Sequence, residues 1–214
     1  MFKVSVVLPK FMEVKNRIIT EAHGLFHRNG YRSTSMDDLA RHLAISKKTI
    51  YQYFKDKDEL VLEVSKLHIS IEKEEFKGIT RDSQNAIDEL FRVGQWLKDS
   101  FRDMNPAVLY DLQKYHQEAW KIWLKYKNET IKNFVTDNLK RGIEDGSFRE
   151  DIIPEILAIV RVEVIQMVYD NGVFAHDKFD KEVLRKQLFE HFIYGILSEK
   201  GRMLFETYNC CESS

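Results

Sequence analysis

Apolar residues recur at helical spacing along almost the whole chain. Over residues 11–29, Phe11, Val14, Ile18, Ala22, Leu25 and Phe26 share one face, which predicts a helix. Gly30 supplies the left-handed cap that ends it. Ser35 is a good N-cap with Asp38 three residues on, in the manner of a capping box. The second helix then packs through Met36, Leu39, Ala40 and Leu43. Ser46 caps a short third helix whose Ile50 and Phe54, one turn apart, face inward. That leaves Lys47, Lys48, Thr49, Tyr51 and Gln52 outward. Asp56 caps a longer fourth helix over 57–76, carrying Leu60, Val64, Leu67 and Ile71.

The second half predicts further helices. One spans 84–104; another runs from Pro106 to 141 with an interruption near Tyr115 and carries Trp120, Trp123 and Phe134. Residues 142–148 (GIEDGSF) read as a loop, and Pro154 suits a first helical position. The helix it opens is apolar nearly all round and reaches 170, where Asn171-Gly172 ends it. A last long helix covers 180–200 with a short extension through 205. A helix with two apolar faces needs neighbours on both sides, and a second subunit is one such neighbour. With only 9 Gly and 3 Pro to interrupt these periods, the expected class is all-α. The expected layout is an N-terminal three-helix bundle over 1–58, joined to a larger helical domain over 59–214.

Composition trims the alternatives. At 43% hydrophobic and 31% charged residues, the chain has an ordinary globular mix, which excludes disorder. Cys210 and Cys211 are adjacent near the end and cannot staple a core, a usage that fits the cytoplasm. The apolar run from Val4 to Leu8 is too short for a signal peptide. The run over 152–168 is broken by Glu155, Arg161, Glu163 and Gln166, so no membrane span is expected. Charge is uneven: residues 1–60 hold 11 Lys/Arg against 7 Asp/Glu, so an anionic partner is expected at that end.

Two short helices, a tight turn and a lysine- and hydroxyl-rich second helix form the layout of a helix-turn-helix, whose second helix enters the DNA major groove. The stretch from Ile18 to Leu60 resembles the DNA-binding segment of TetR-family transcriptional regulators. The matching residues are Ala22, Leu25-Phe26, Gly30-Tyr31, Thr34-Ser35-Met36, Leu39-Ala40, Ile45-Ser46-Lys47, Thr49-Ile50-Tyr51, Tyr53-Phe54, Lys57 and Leu60. Further on, Gly146-Ser147-Phe148-Arg149 with Pro154-Glu155 resembles an element that precedes the family's dimer helices. Three positions depart from the pattern: Ala44 stands where the family usually has Gly, Lys48 where it often has Gly or a small residue, and Ile153 where it tends to place a capping Asp. Ala44 is compatible with the turn if the position does not demand a positive φ.

The resemblance implies that Tyr51, Lys57, Thr34 and Ser35 hold phosphates, while Lys47, Lys48, Thr49 and Gln52 reach base edges and Tyr53 sits at the rim. It also assigns ligand binding and dimerisation to the domain over 59–214, and implies a homodimer, through the last two long helices, on a palindromic operator of double-stranded DNA. A small-molecule effector would release a repressor from that operator. Trp96, Phe101, Tyr110, His116, Trp120, Trp123 and Tyr169 are candidate walls for the effector pocket. His23 and His27 lie one turn apart with no further ligand evident, so no metal is expected, and no cofactor motif or catalytic constellation is present. The rival readings are a helical adaptor that uses the small bundle for protein contacts, and an all-helical enzyme.

Overall fold

The computed structural model describes residues 10–168, 173–174 and 180–212. The helices are α1 (Lys10–Asn29), α2 (Met36–Leu43), α3 (Lys47–Tyr51), α4 (Lys57–Asp82), α5 (Ala86–Phe101), α6 (Val108–Tyr115) and α7 (Gln117–Lys125). A wide π turn over Tyr126–Ile131 leads into α8 (Lys132–Glu144), followed by α9 (Pro154–Val168), α10 (Lys181–Ile196) and α11 (Glu199–Glu212). Among the described residues there is no strand, only an isolated antiparallel bridge between Phe148 and Leu197. The all-α class is therefore as expected.

The chain forms two compact units: residues up to Ile71 together with Asp103–Ile122, and Glu72–Arg102 together with the chain from Trp123 on. In the first, α1 packs on α2 and α2 on α3. Their core is Ile18, Ala22, Phe26, Leu39, Leu43, Ile50, Phe54 and Leu60, all buried. Gly30 ends α1 at φ +86°, a backbone region in which a Cβ is strained. This unit also takes in α6: Asn105 N–H donates to the His27 carbonyl (2.8 Å), and the buried Asp111 accepts from the Arg32 N–H (2.9 Å).

The second unit has its core in Ile87, Leu90, Leu139, Phe148, Ala158, Val162, Ile193, Ile196 and Phe205. Glu89 is buried there and accepts from Thr80 Oγ1 (2.6 Å), Asn138 Nδ2 (2.6 Å) and the Arg141 guanidinium. Within the π turn, Lys127 is buried and donates to Glu163 Oε1 (2.8 Å) and Gln166 Oε1 (2.7 Å). On α9, Ile156, Ile159 and Val160 keep half their surface exposed.

Several boundaries differ from the sequence expectation. The fourth helix continues six residues past Phe76. The loop expected from Gly142 begins only after Glu144, because Gly142 is helical and lies directly under the Phe148 ring. The expected single last helix is broken at Leu197-Ser198. There the Arg149 N–H donates to the Ile196 carbonyl (2.9 Å) and the Ser198 N–H to the Ser147 carbonyl (3.0 Å), which diverts the backbone from its own ladder. Ser198 Oγ then accepts from the Gly201 N–H (3.0 Å) and starts α11. The expected stop at Asn171-Gly172 lies outside the described residues.

Candidate nucleic-acid interface

The α2–α3 corner is built from local side-chain chemistry. Ser35 Oγ accepts from the Asp38 N–H (3.1 Å), and Asp38 Oδ2 accepts from the Ser35 N–H (2.9 Å) and hydroxyl (2.6 Å). This reciprocal cap satisfies two donors that a helix start leaves without partners. The Ser35 hydroxyl, and then its backbone N–H, hold the Asp38 carboxyl below the usual carboxylate range. At the other corner, Ser46 Oγ accepts from the Thr49 N–H (3.0 Å) and shares a hydrogen bond with Thr49 Oγ1 (2.8 Å). The turn between them takes a positive φ of 53° at Ala44, so the condition under which alanine sits there without strain is not met.

Helix α3 is held from below by Ile50 and, just past its end, Phe54, both essentially buried. Lys47, Lys48, Tyr51 and Gln52 are exposed; Thr49 and Tyr53 are half-buried. Lys47 Nζ donates to Asp37 Oδ2 (2.7 Å), linking the starts of α3 and α2, and that carboxylate raises the lysine above its ordinary pKa. Among the described residues, Lys48 and Gln52 have no side-chain hydrogen bond or ion-pair partner, so their polar groups remain available to a ligand.

Two expected phosphate contacts are placed differently. Thr34 is 2% exposed, and its hydroxyl donates to the Gly30 carbonyl (2.9 Å); as placed, it braces the α1–α2 turn from inside. Lys57 is half-buried: Nζ donates to the Tyr31 carbonyl (2.5 Å) and lies over the Phe26 ring (5.9 Å), and burial lowers its pKa. Sequence reasoning missed Asp111 and the pairing of His116 Nδ1 with Asp58 Oδ1 (2.6 Å). A single acid between Tyr110 and Leu112 carries no pattern to find it by.

The residues picked as effector-pocket walls fall in different units. Tyr110 (exposed), His116 (buried) and Trp120 (half-buried) are in the first unit; Trp96, Phe101 and Trp123, all half-buried, are in the second. Trp96 packs edge-on against Phe76 with ring centroids 5.2 Å apart, and Tyr169 lies outside the described residues. A cleft of about 690 Å³ in the second unit is lined instead by residues such as Phe91, Leu97, Arg161, Val164 and Phe189. A smaller one of about 420 Å³ lies along Ile153, Ile156, Val160 and Phe192. In the first unit His23 Nε2 lies 3.1 Å from His68 Nδ1. Among the described residues no group of three or more His, Cys, Asp or Glu is placed to hold a metal ion. No described helix is long and apolar enough to cross a membrane.

A capped α2, a tight turn and a short, outward-facing α3 define a helix-turn-helix protein. Residues 18–64 match the N-terminal signature of the family described as bacterial regulatory proteins, tetR family. The HTH-type transcriptional regulator YvaF of Bacillus subtilis is 35% identical over 195 residues, covering 86% of this chain and 96% of its own length. The fold is shared with a TetR-family regulator from Agrobacterium tumefaciens (TM-score 0.71, 16% identity, 87% of this chain and 99% of that one). It is likewise shared with a transcriptional regulator from Saccharomonospora viridis solved in complex with choline (TM-score 0.71, 17% identity, 88% and 100%). The chain belongs to the TetR family of transcriptional regulators, a family that is not enzymatic.

Proposed function

We propose that this protein is a homodimeric repressor that reads a near-palindromic operator with α3 and leaves it when a small molecule binds the C-terminal domain. The observation that carries the DNA reading is the exposed face of Lys47, Lys48, Tyr51 and Gln52 on a helix whose opposite side is locked by Ile50 and Phe54. In this reading residues 1–58 bind DNA and 59–214 bind the effector and the second subunit. Lys48 and Gln52 meet base edges, with Lys47 and Thr49 beside them; Ser35, Tyr51 and Tyr53 hold phosphates. Lys57 serves the same surface only by leaving the Tyr31 carbonyl. Thr34 acts through the turn it braces.

Half-exposed Ile156, Ile159 and Val160 on α9 support dimerisation through α9 and α10, since an apolar face of this kind calls for a covering partner. Two recognition helices then lie about 34–36 Å apart, or a multiple, on the duplex. The choline held by the Saccharomonospora regulator supports a small-molecule effector as a general mode, and this chain's place of action would be the cytoplasm. Selection of bound duplexes from a random pool by the full-length protein tests the proposal. An enriched sequence with two-fold symmetry is expected, and Gln52→Ala should relax preference at one position per half-site at a cost of about 1–3 kcal/mol. A pool that enriches nothing refutes it.

A further inference from the structure

A ladder of cations and tyrosine rings leads away from the α3 face within the first unit. Lys57 Nζ donates to the Tyr31 carbonyl (2.5 Å). The next residue, Arg32, lies over the Tyr115 ring (5.5 Å) and donates through Nη1 to the Tyr115 hydroxyl (3.3 Å). Lys114 lies over the rings of Tyr115 (5.4 Å) and Tyr110 (5.1 Å) and donates to the Tyr110 hydroxyl (2.7 Å). Both tyrosines are exposed, Tyr110 by 52% and Tyr115 by 39%.

Two cations of this ladder, Arg32 and Lys114, are exposed and keep their charge uncovered. The Arg32 guanidinium and the Lys114 ammonium are bonded to phenol oxygens and stacked on rings, with no carboxylate in either pairing. The nearby acids are committed elsewhere. Asp111 is buried and accepts from the Arg32 backbone N–H (2.9 Å). Asp58 is bonded to His116 (2.6 Å), and Glu118 is paired with Lys121 (2.6 Å). Asp58 and Glu118 keep exposed carboxylates beside this patch, each already paired, while Arg32, Lys114, Tyr110 and Tyr115 turn outward guanidinium, ammonium and hydroxyl donors, a composition suited to an anion. A donor now spent on a neutral phenol oxygen gains when it meets a charged phosphate oxygen instead.

Position decides which anion. Arg32 precedes the α2 cap Ser35 by three residues. His116, directly after Tyr115, is pinned to Asp58, directly after Lys57. The end of α6 is thus held beside the two helix starts, α2 and α4, that border the proposed DNA face. We propose that Arg32 and Lys114, with the hydroxyls of Tyr110 and Tyr115, form a second contact to duplex DNA, gripping the sugar-phosphate strand outside the bases met by α3. This rests on the DNA-binding reading above. The contact carries no base information; it adds affinity, footprint and salt dependence.

The test uses the full-length protein and two duplexes, the selected operator trimmed to its half-sites and the same operator extended by half a helical turn on each side. Binding is followed by fluorescence anisotropy across a salt series. The parent protein should bind the extended duplex more tightly and with a steeper salt slope. Lys114→Ala should lower that slope by about one unit for each phosphate the side chain no longer neutralises, while leaving the trimmed duplex unaffected. Lys121→Ala, whose ammonium is already paired with Glu118, should change neither. If Lys114→Ala binds both duplexes as the parent does, or weakens both equally, the second contact is overturned while operator binding stands. If the parent prefers neither duplex over random DNA, the underlying DNA reading has failed instead.

Discussion

Replacing Ala44 by glycine should stabilise the protein, and the size of the gain follows from the turn. Ala44 sits at φ 53°, ψ 40° and closes α2 with its N–H directed to the carbonyls of Ala40 and Arg41. A left-handed backbone costs an L-residue with a Cβ about 1–2 kcal/mol. Glycine removes that strain but gives the unfolded chain more freedom, which costs about 0.4–1 kcal/mol. The Ala44 side chain is exposed, so removing its methyl group sacrifices little packing. The balance is a stabilisation of about 0.5–1 kcal/mol, or a rise of about 1–4 °C in Tm for a chain of this size. The measurement is thermal and urea unfolding at one fixed protein concentration, since association would make the midpoint depend on concentration. Ala44→Val is the converse: a β-branched residue at positive φ should lose more than about 1 kcal/mol. The reasoning is refuted if glycine lowers stability by the roughly 0.5–1 kcal/mol it costs at ordinary helical positions, because the turn would then not hold a positive φ in solution.

Glu89→Ala should cost about 1–3 kcal/mol in urea unfolding, since it removes the acceptor shared by Thr80, Asn138 and Arg141 while the half-exposed Arg141 guanidinium can still be solvated, whereas Glu89→Gln keeps the shape and should cost less. Gly201→Ala should destabilise strongly or fail to fold, because its Cβ would overlap the Ser147 carbonyl, which is backbone and cannot swing aside; circular dichroism reads this directly. The pH dependence has two opposed parts. Burial first, then the neighbouring His23 and His27, push His68 from 6.5 down to about 3, so the unfolded chain binds the extra proton and stability falls as pH drops from 6.5 towards 3. Burial pushes Glu72 from 4.5 up to about 7, so its contribution is present at low pH and is lost as pH rises from 4.5 to 7. The two offset each other between 4.5 and 6.5, and below 4.5 the His68 effect continues without Glu72 to oppose it, joined by that of the lowered Asp38 carboxyl. Glu72→Gln should therefore make stability rise with pH across 4.5–6.5, and an unchanged profile would contradict the Glu72 assignment.

The parts of this fold that could be read from sequence are those whose causes lie a few residues apart. Ser35 with Asp38, Ser46 with Thr49, and Asp56 with Glu59 place three helix starts by bonds spanning three positions. The inward set Leu39, Leu43, Ile50 and Phe54 follows from periodicity alone. What escaped has distant causes. Nothing around Leu197 interrupts the helical period; the break comes from Ser147 and Phe148, some fifty residues earlier. Gly142 reads as a breaker, yet its missing side chain makes room for Phe148. The docking of α6 on the first bundle depends on Asp111 reaching Arg32 across 79 positions. Aromatic residues chosen for an effector pocket by composition fall into two units for the same reason: composition does not say which neighbour a ring will meet.

The same limit applies, less visibly, to the α3 face. Sequence places Lys47 and Lys48 side by side as equal candidates for a base contact, because both are outward and adjacent. In the folded chain they differ. Lys47 is engaged by Asp37, ten positions earlier, and must give up an ion pair before meeting DNA. That pair is exposed to solvent, so giving it up costs little, but it directs the ammonium towards the start of α2, where the DNA-binding reading places a backbone phosphate. Lys48 has no such tether and is free to follow a guanine edge. The two lysines should therefore separate by function: Lys48 should set sequence preference and Lys47 salt dependence, a distinction that depends on the position of one aspartate on the preceding helix.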